Sequence, residues 1–485
     1  MKRSSSLAFV LSIIVSVLAG CSGVPNGSGG GGGGSQTGNL VLTMTSKPAL
    51  SLTNVSVLGA NVGITGITLN PSTGNAVAVT LNPTVYPVDL SRLQSDSAFL
   101  ATVTLPAGTY SSATITFSAP VLTIDNESGG TLNGNCPSGS SCQIVLTAGS
   151  AQVTTTPFPI TLTDGQTAGV SLNLDLNTAL TLANNSLALD FSAINAATAS
   201  ILPRAGTATG LDLVEDFVGK VTATSSTSIT VTASNGISLQ LKLPSSLVIE
   251  DPQGLCPALT AACLVANQTI VSVNAGVNSD GTLTLFSADL LDATPLDEVE
   301  GTVVQTGVSG QTVVVVSNKV VSSGNNTLAL ANSGDIFLVN FNNPTFIVDT
   351  DEFFNNASLP ASSLTTLFTS ETDLVDGQDV MVRVTSATGT ASTRDQALTT
   401  NQVRLRFTRT TGMVQTVSGN AISLSNIPFI PFITNPLADT ITGVTSFDGV
   451  TDVNSLTAGQ NVSIRALLLN NSPFSFYATK VRVQP

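Results

Sequence analysis

The chain has 485 residues, with 30 acidic, 16 basic and no histidine side chains, and a formal charge of −14. Charged residues make up only 9% of it, against roughly 25% in an average soluble protein. Without histidine there is no Ser-His-Asp or Cys-His catalysis and no His-ligated zinc, and the acidity argues against a nucleic-acid partner.

The chain opens with Lys2 and Arg3, then an apolar run from Leu7 to Ala19 that ends in Leu18-Ala19-Gly20-Cys21. The run is shorter than the ~20 residues a membrane-spanning helix needs and has the layout of a secretory signal peptide over residues 1–20. Leu-Ala-Gly-Cys resembles the lipobox of bacterial lipoproteins. That resemblance implies cleavage before Cys21, lipid on Cys21 and anchoring in a bilayer. Ser22 stands where an acidic residue would favour inner-membrane retention, so the resemblance points to the outer membrane. Residues 21–37, with the glycine run Gly29 to Gly34, are expected to form a flexible tether. A phosphate cradle needs a strand before and a helix after such a run, and this one has neither.

Four more cysteines form two close pairs, Cys136 with Cys142 and Cys256 with Cys263. In an exported chain these read as local disulfides. A four-cysteine zinc site normally has gaps of about two to four residues, shorter than those here.

From residue 38 onward, short runs alternate apolar residues with Ser or Thr, as in Asn39 to Thr45 and Ala113 to Phe117. Period two with one polar face predicts half-buried strands. The fold class is therefore all-β, with an N-terminal β-sandwich over 38–205 followed by three small β-barrel-like repeats. The segment around Ala179 to Ala199 is expected to hold a short helix or a last strand. Val88 to Leu93, Leu105-Pro106-Ala107-Gly108-Thr109-Tyr110 and the strand Ala113 to Phe117 resemble a bacterial lipoprotein family of unknown function. That family implies a prealbumin-like or carbohydrate-binding-like sandwich behind a lipobox. Where it often has an acidic residue after the first strand, Ser46-Lys47-Pro48 stands here.

The repeats run over about 215–295, 298–410 and 411–485. Each opens on Gly-x-Val (Gly219 to Val221, Gly301 to Val303, Gly412 to Val414) and later shows Leu-x-x-x-Gln before a strand, ending at Gln268, Gln378 and Gln460. Five or six strands in such a length suggest closed barrels, which remove exposed edges. The pattern resembles a second bacterial domain family of unknown function, found as tandem small β-domains in exported proteins.

The acidic linkers, Asp212 to Asp216 and Asp292 to Glu300, leave two readings open: solvated charge or calcium bridging between domains. Asp349, Asp351 and Glu352 are candidate ligands of a structural calcium, though no EF-hand series is present. Arg404, Arg406 and Arg409 read as local charge balance. Tyr86 and Tyr110, and with them Tyr477, are candidate stacking platforms for a ligand or else core aromatics. No cofactor is expected apart from that calcium. The expected activity is non-catalytic: a lipid-anchored envelope protein that binds polysaccharide or an envelope protein, or a structural stalk.

Overall fold

A computed structural model describes residues 36–484 except 50–51, 53, 119, 147–151, 156–159, 193–196, 202–209, 279, 294–295, 309–311, 322–332, 351–352, 354–360, 389–395, 420, 426, 428–440, 443–445, 449 and 471–474. The signal peptide, Cys21, the tether, Asp351 and Glu352 lie outside the described residues.

The alternation in the first 170 residues past the tether produces two facing sheets. Thr37–Lys47 pairs antiparallel with Ala98–Pro106 and parallel with Thr167–Asp175, and Ala197–Ile201 lies beyond the latter. The second sheet runs Ile160–Leu162, Gly108–Phe117, Val55–Pro71, Val121–Asn126, Ser140–Val145, with three short strands beside this path. Leu40, Leu42 and Leu172 of one sheet and Ile67, Ile115 and Ile124 of the other share one buried core. Both readings of the Ala179 region hold in part. A one-turn helix, Leu176–Ala179, is capped by the Asp175 side chain, and the hairpin Leu180–Ala183/Ser186–Leu189 and the strand Ala197–Ile201 follow.

The repeats share one topology. The first barrel is built from Gly210–Thr224, Ser228–Thr232, Ser238–Lys242, Ile270–Asn278 and Leu283–Asp292. The second uses Asp297–Val308, Thr312–Val321, Ile336–Val348, Asp379–Thr388 and Ala397–Arg406. The third uses Thr408–Ser418, Ala421–Ser425, Ile441–Thr442, Asn461–Leu469 and Ser475–Val483. In each, the first strand pairs with the second and fourth, and the third closes the ring by running parallel to the fifth. The order around the barrel is 1-2-3-5-4, that of the five-stranded OB-type Greek-key barrel. The first and third barrels begin at Gly210 and Thr408, before the expected 215 and 411.

The two repeat motifs have steric and hydrogen-bonding causes. A Cβ on Gly219 would lie 2.8 Å from the Thr232 carbonyl oxygen, and one on Gly301 would overlap the Val316 carbonyl. Glycine lets the first and second strands cross this closely. In the Leu-x-x-x-Gln turn the glutamine closes its own loop. Gln378 Oε1 accepts from the Val375 N–H at 2.8 Å, and Gln460 Oε1 from the Thr457 N–H at 2.7 Å. In the first barrel Thr269 Oγ1 takes this role, accepting from the Val265 N–H at 2.9 Å.

One barrel face differs between the repeats. In the second barrel the outward residues Val304, Val314 and Val316 pack with Ile336 on Leu58 of the sandwich. The ladder places Thr222, Thr230 and Thr232 at the same positions of the first barrel, and Gln415, Ser423 and Ser425 at those of the third. Valine stands where the face docks, and hydroxyl and amide side chains where it does not. The first barrel meets the sandwich elsewhere: their apolar cores are continuous, and Thr102 Oγ1 donates to the Gly281 carbonyl at 3.2 Å.

Candidate functional site

Asp216 of the first linker, the acids of the second linker and the strand-end arginines Arg404 and Arg406 are buried, which overturns the solvated reading for them. Asp292, Asp297, Glu298 and Glu300 are at most 2% exposed. Arg404 and Arg406 are the largest fully buried side chains. Charges taken out of water this completely have to be paired, and the pairing brings all four domains together.

Asp216 is the meeting point. A bulge between Val214 and Phe217 breaks the first strand of the first barrel, and Asp216 takes φ +49° there. Bulges redirect side chains in this way. Its N–H donates to Asn274 Oδ1 at 2.8 Å, and Ser272 Oγ donates to its Oδ1 at 2.5 Å. Its carboxylate then meets three arginines from three other domains. Arg92 of the sandwich approaches at 3.5 Å, Arg406 of the second barrel at 2.7 Å, and Arg409 of the third barrel pairs directly with it.

The neighbours extend the network. Arg406 also reaches Glu300 and Asp289 at 3.3 Å each, and pairs with Asp349. Arg92 reaches Glu300 at 2.6 Å. Arg409 pairs with Asp96 of the sandwich. Arg404 holds Asp289 at 3.2 Å and donates to the Leu290 and Leu291 carbonyls. Arg465 lies 4.6 Å over the Phe407 ring, a cation–π placement. On one flank Lys480 and Arg482 pair with Glu215, and on the other Arg383 meets Asp292 at 2.7 Å. Eight of the sixteen basic residues of the chain converge here.

The electrostatics follow from this geometry. Burial alone would raise the Asp96 carboxyl, but Arg409 and Arg465 hold it well below the usual carboxylate range. Burial pulls the Arg406 and Arg409 guanidinium groups down, and the surrounding carboxylates more than restore them. Asp379 is raised, because burial outweighs Arg92 and Arg409. Beside Arg92 and Arg409 lies a polar cavity of about 60 Å³, lined also by Asp379, Thr302 and Thr411. That is room for a few waters.

The proposed ligand residues have other partners. Asp349, an expected calcium ligand, is buried against Arg406. Among the described residues no group of three or more metal-ligating side chains occurs. Tyr86 is 5% exposed and donates its hydroxyl to the Phe99 carbonyl. Tyr110 is 2% exposed and donates to the Pro106 carbonyl at 2.9 Å. Tyr477 packs against the core of the second barrel. Tyr86 and Tyr110 are therefore core aromatics and present no face to a ligand. Replacing Tyr110 by phenylalanine is expected to lower the urea-unfolding free energy by about 1 kcal/mol, the worth of one hydrogen bond. No change at all would place its hydroxyl in water.

Both disulfides are formed, Cys136–Cys142 and Cys256–Cys263, each with Cα atoms 5.7 Å apart. Each closes a short loop, worth about 2–2.5 kcal/mol on the chain-entropy account.

Sequence reasoning missed the ionic centre, although one signal was present. Asp216, Glu298 and Arg409 each stand three residues before the motif glycine of their repeat. A charge recurring at one position, three residues before the motif glycine, marks a shared joint.

Residues 37–190 match a protein family described as a domain of unknown function, DUF4382. The match covers the sandwich except its strand Ala197–Ile201 and ends before the barrels. No curated protein matches the chain. Among the described residues no helix is long and apolar enough to cross a membrane.

Proposed function

We propose that this chain is a non-catalytic, lipid-anchored protein of the bacterial cell envelope, most consistent with the outer membrane. In this reading it binds polysaccharide or an envelope protein through its outer loops and barrel faces. The observation that carries it is Asp216, whose carboxylate meets arginines of three other domains inside one buried network. Around Asp216 the guanidinium groups of Arg92, Arg406 and Arg409 are engaged in ion pairs that tie domains together, which supports a structural role for these charges. The network also fixes the relative positions of the domains, which a composite binding surface needs. That packing supports a single presenting body over an extensible stalk. The signal-peptide layout and Leu18-Ala19-Gly20-Cys21 support the anchor.

The test is a Cys21→Ser substitution combined with protease shaving of intact cells. Wild type is expected to take up an alkyne fatty acid and to sediment with membranes. Cys21→Ser is expected to lose the label and move to the soluble fraction. Equal membrane retention with no label in either protein would sink the anchored reading. Cleavage of wild type on intact cells would favour surface capture of glycan. Cleavage only after lysis would favour a periplasmic protein partner.

A further inference from the structure

We propose that Asp292 and Glu298 form a one-proton latch between the first and second barrels, closed while the pair holds a proton and loosened once both carboxyls ionise. Asp292 ends the fifth strand of the first barrel, and Glu298 is the second residue of the second barrel. Each is 1% exposed, and their side chains are hydrogen-bonded to each other. Beside them Val218, Ile270, Leu291 and Met381 form an apolar plug between the two barrels.

Among the described residues the charges facing the pair do not balance two carboxylates. On the fourth strand Arg383 is the ladder partner of Glu298 and reaches Asp292 Oδ2 at 2.7 Å. On the fifth strand Arg404 is committed to Asp289 and to the Leu290 and Leu291 carbonyls. On the second strand the ladder sets Val321 opposite Glu298. Asp297 precedes Glu298 and, in an extended strand, faces the other side. Among the described residues, therefore, Arg383 and a share of Arg404 face the two carboxyls, and two like charges in a dry site cannot both ionise at little cost.

Burial first, and then the Asp292 charge, push the Glu298 carboxyl up to about 8 from its ordinary 4.5, while Arg404 and Arg383 oppose them. In an opened joint Glu298 meets water and returns to its ordinary value. The raised value belongs to the closed state, so the latch contributes fully below pH 4.5 and loses its contribution as pH rises towards 8. Over that window the opening equilibrium grows about tenfold per pH unit, then levels off.

The test is hydrogen–deuterium exchange of the purified full chain from pH 5 to 8. Wild type is compared with Glu298→Gln at each pH, so that intrinsic exchange rates cancel. The peptides read are those covering Ile270–Asp292 and Asp297–Val308. The expected result is a variant-to-wild-type protection ratio that grows about tenfold per pH unit. A ratio that stays constant with pH overturns the latch. Asp292→Asn removes the neighbouring charge and keeps the size, and it serves if the first variant does not fold. Because burial still raises Glu298, this variant is expected to keep the wild-type slope but to level off at a lower pH, and an unchanged dependence overturns the proposal equally. An infrared band of protonated carboxyl, present in wild type at pH 6 and absent in Glu298→Gln, is the independent readout.

Discussion

Asp216→Ala is expected to lower the unfolding free energy by about 3–5 kcal/mol, and to split urea unfolding into more than one transition. The magnitude is that of removing one partner from a buried ion pair and leaving its counter-charges without water. Arg406 is 1% exposed at the side chain and cannot hydrate without moving a strand, and Arg409, 4% exposed, reaches only the small polar cavity beside it. The splitting follows from the geometry. Asp216 alone of the acids in this network touches arginines from the sandwich, the second barrel and the third. Asp216→Asn keeps the shape and one acceptor, and is expected to fall between wild type and alanine. Asp280, exposed in a turn beside Lys242, is the control, and its replacement by alanine is expected to leave the curve unchanged, as for exposed pairs generally. Equal, small effects at both positions would show that the buried network carries no mechanical load between domains.

Gly301→Ala is expected to be the next most damaging substitution. The new Cβ has nowhere to go, because it would overlap the Val316 carbonyl and press on Val315. Backbone cannot rotate aside as a side-chain end can. Overpacking of this kind costs about 1–3 kcal/mol and occasionally more. The same glycine in the other repeats is less crowded. The nearest neighbour of the added carbon is 2.8 Å away at Gly219 and 3.0 Å away at Gly412, where it is a leucine side chain. The expected order of damage is Gly301, then Gly219, then Gly412, read from urea midpoints of the three alanine variants. The reverse order would mean that the motif glycine is kept for a reason other than strand crossing.

The all-β class was legible because it rests on local chemistry. Val and Thr alternate, and Gly, Asn and Pro punctuate them, whatever lies elsewhere in the chain. The repeats were legible for a similar reason, since Gly-x-Val and Leu-x-x-x-Gln each encode a strand crossing or turn within a few residues. The ionic centre was not, because its partners lie far apart in sequence. Arg409 and Asp96 are separated by 313 residues, and Arg406 and Asp216 by 190. An acidic run such as Asp292 to Glu300 has the same composition whether it is hydrated or buried, and only the fold supplies the arginines. Tyr110 shows the limit of reading an aromatic after a turn, for its hydroxyl satisfies a carbonyl four residues back and its ring fills the core.

Drawing half of the cationic side chains into one dry centre also decides what the outside of the molecule feels like to its surroundings. Among the described residues Lys242 is the only basic side chain in the exposed class, and it already sits beside Asp280. Over the described residues the outward field is therefore set by carboxylates among hydroxyls and amides. Among the described residues that surface holds no cluster of exposed cations, the feature that adsorption to acidic polymers or anionic headgroups draws on.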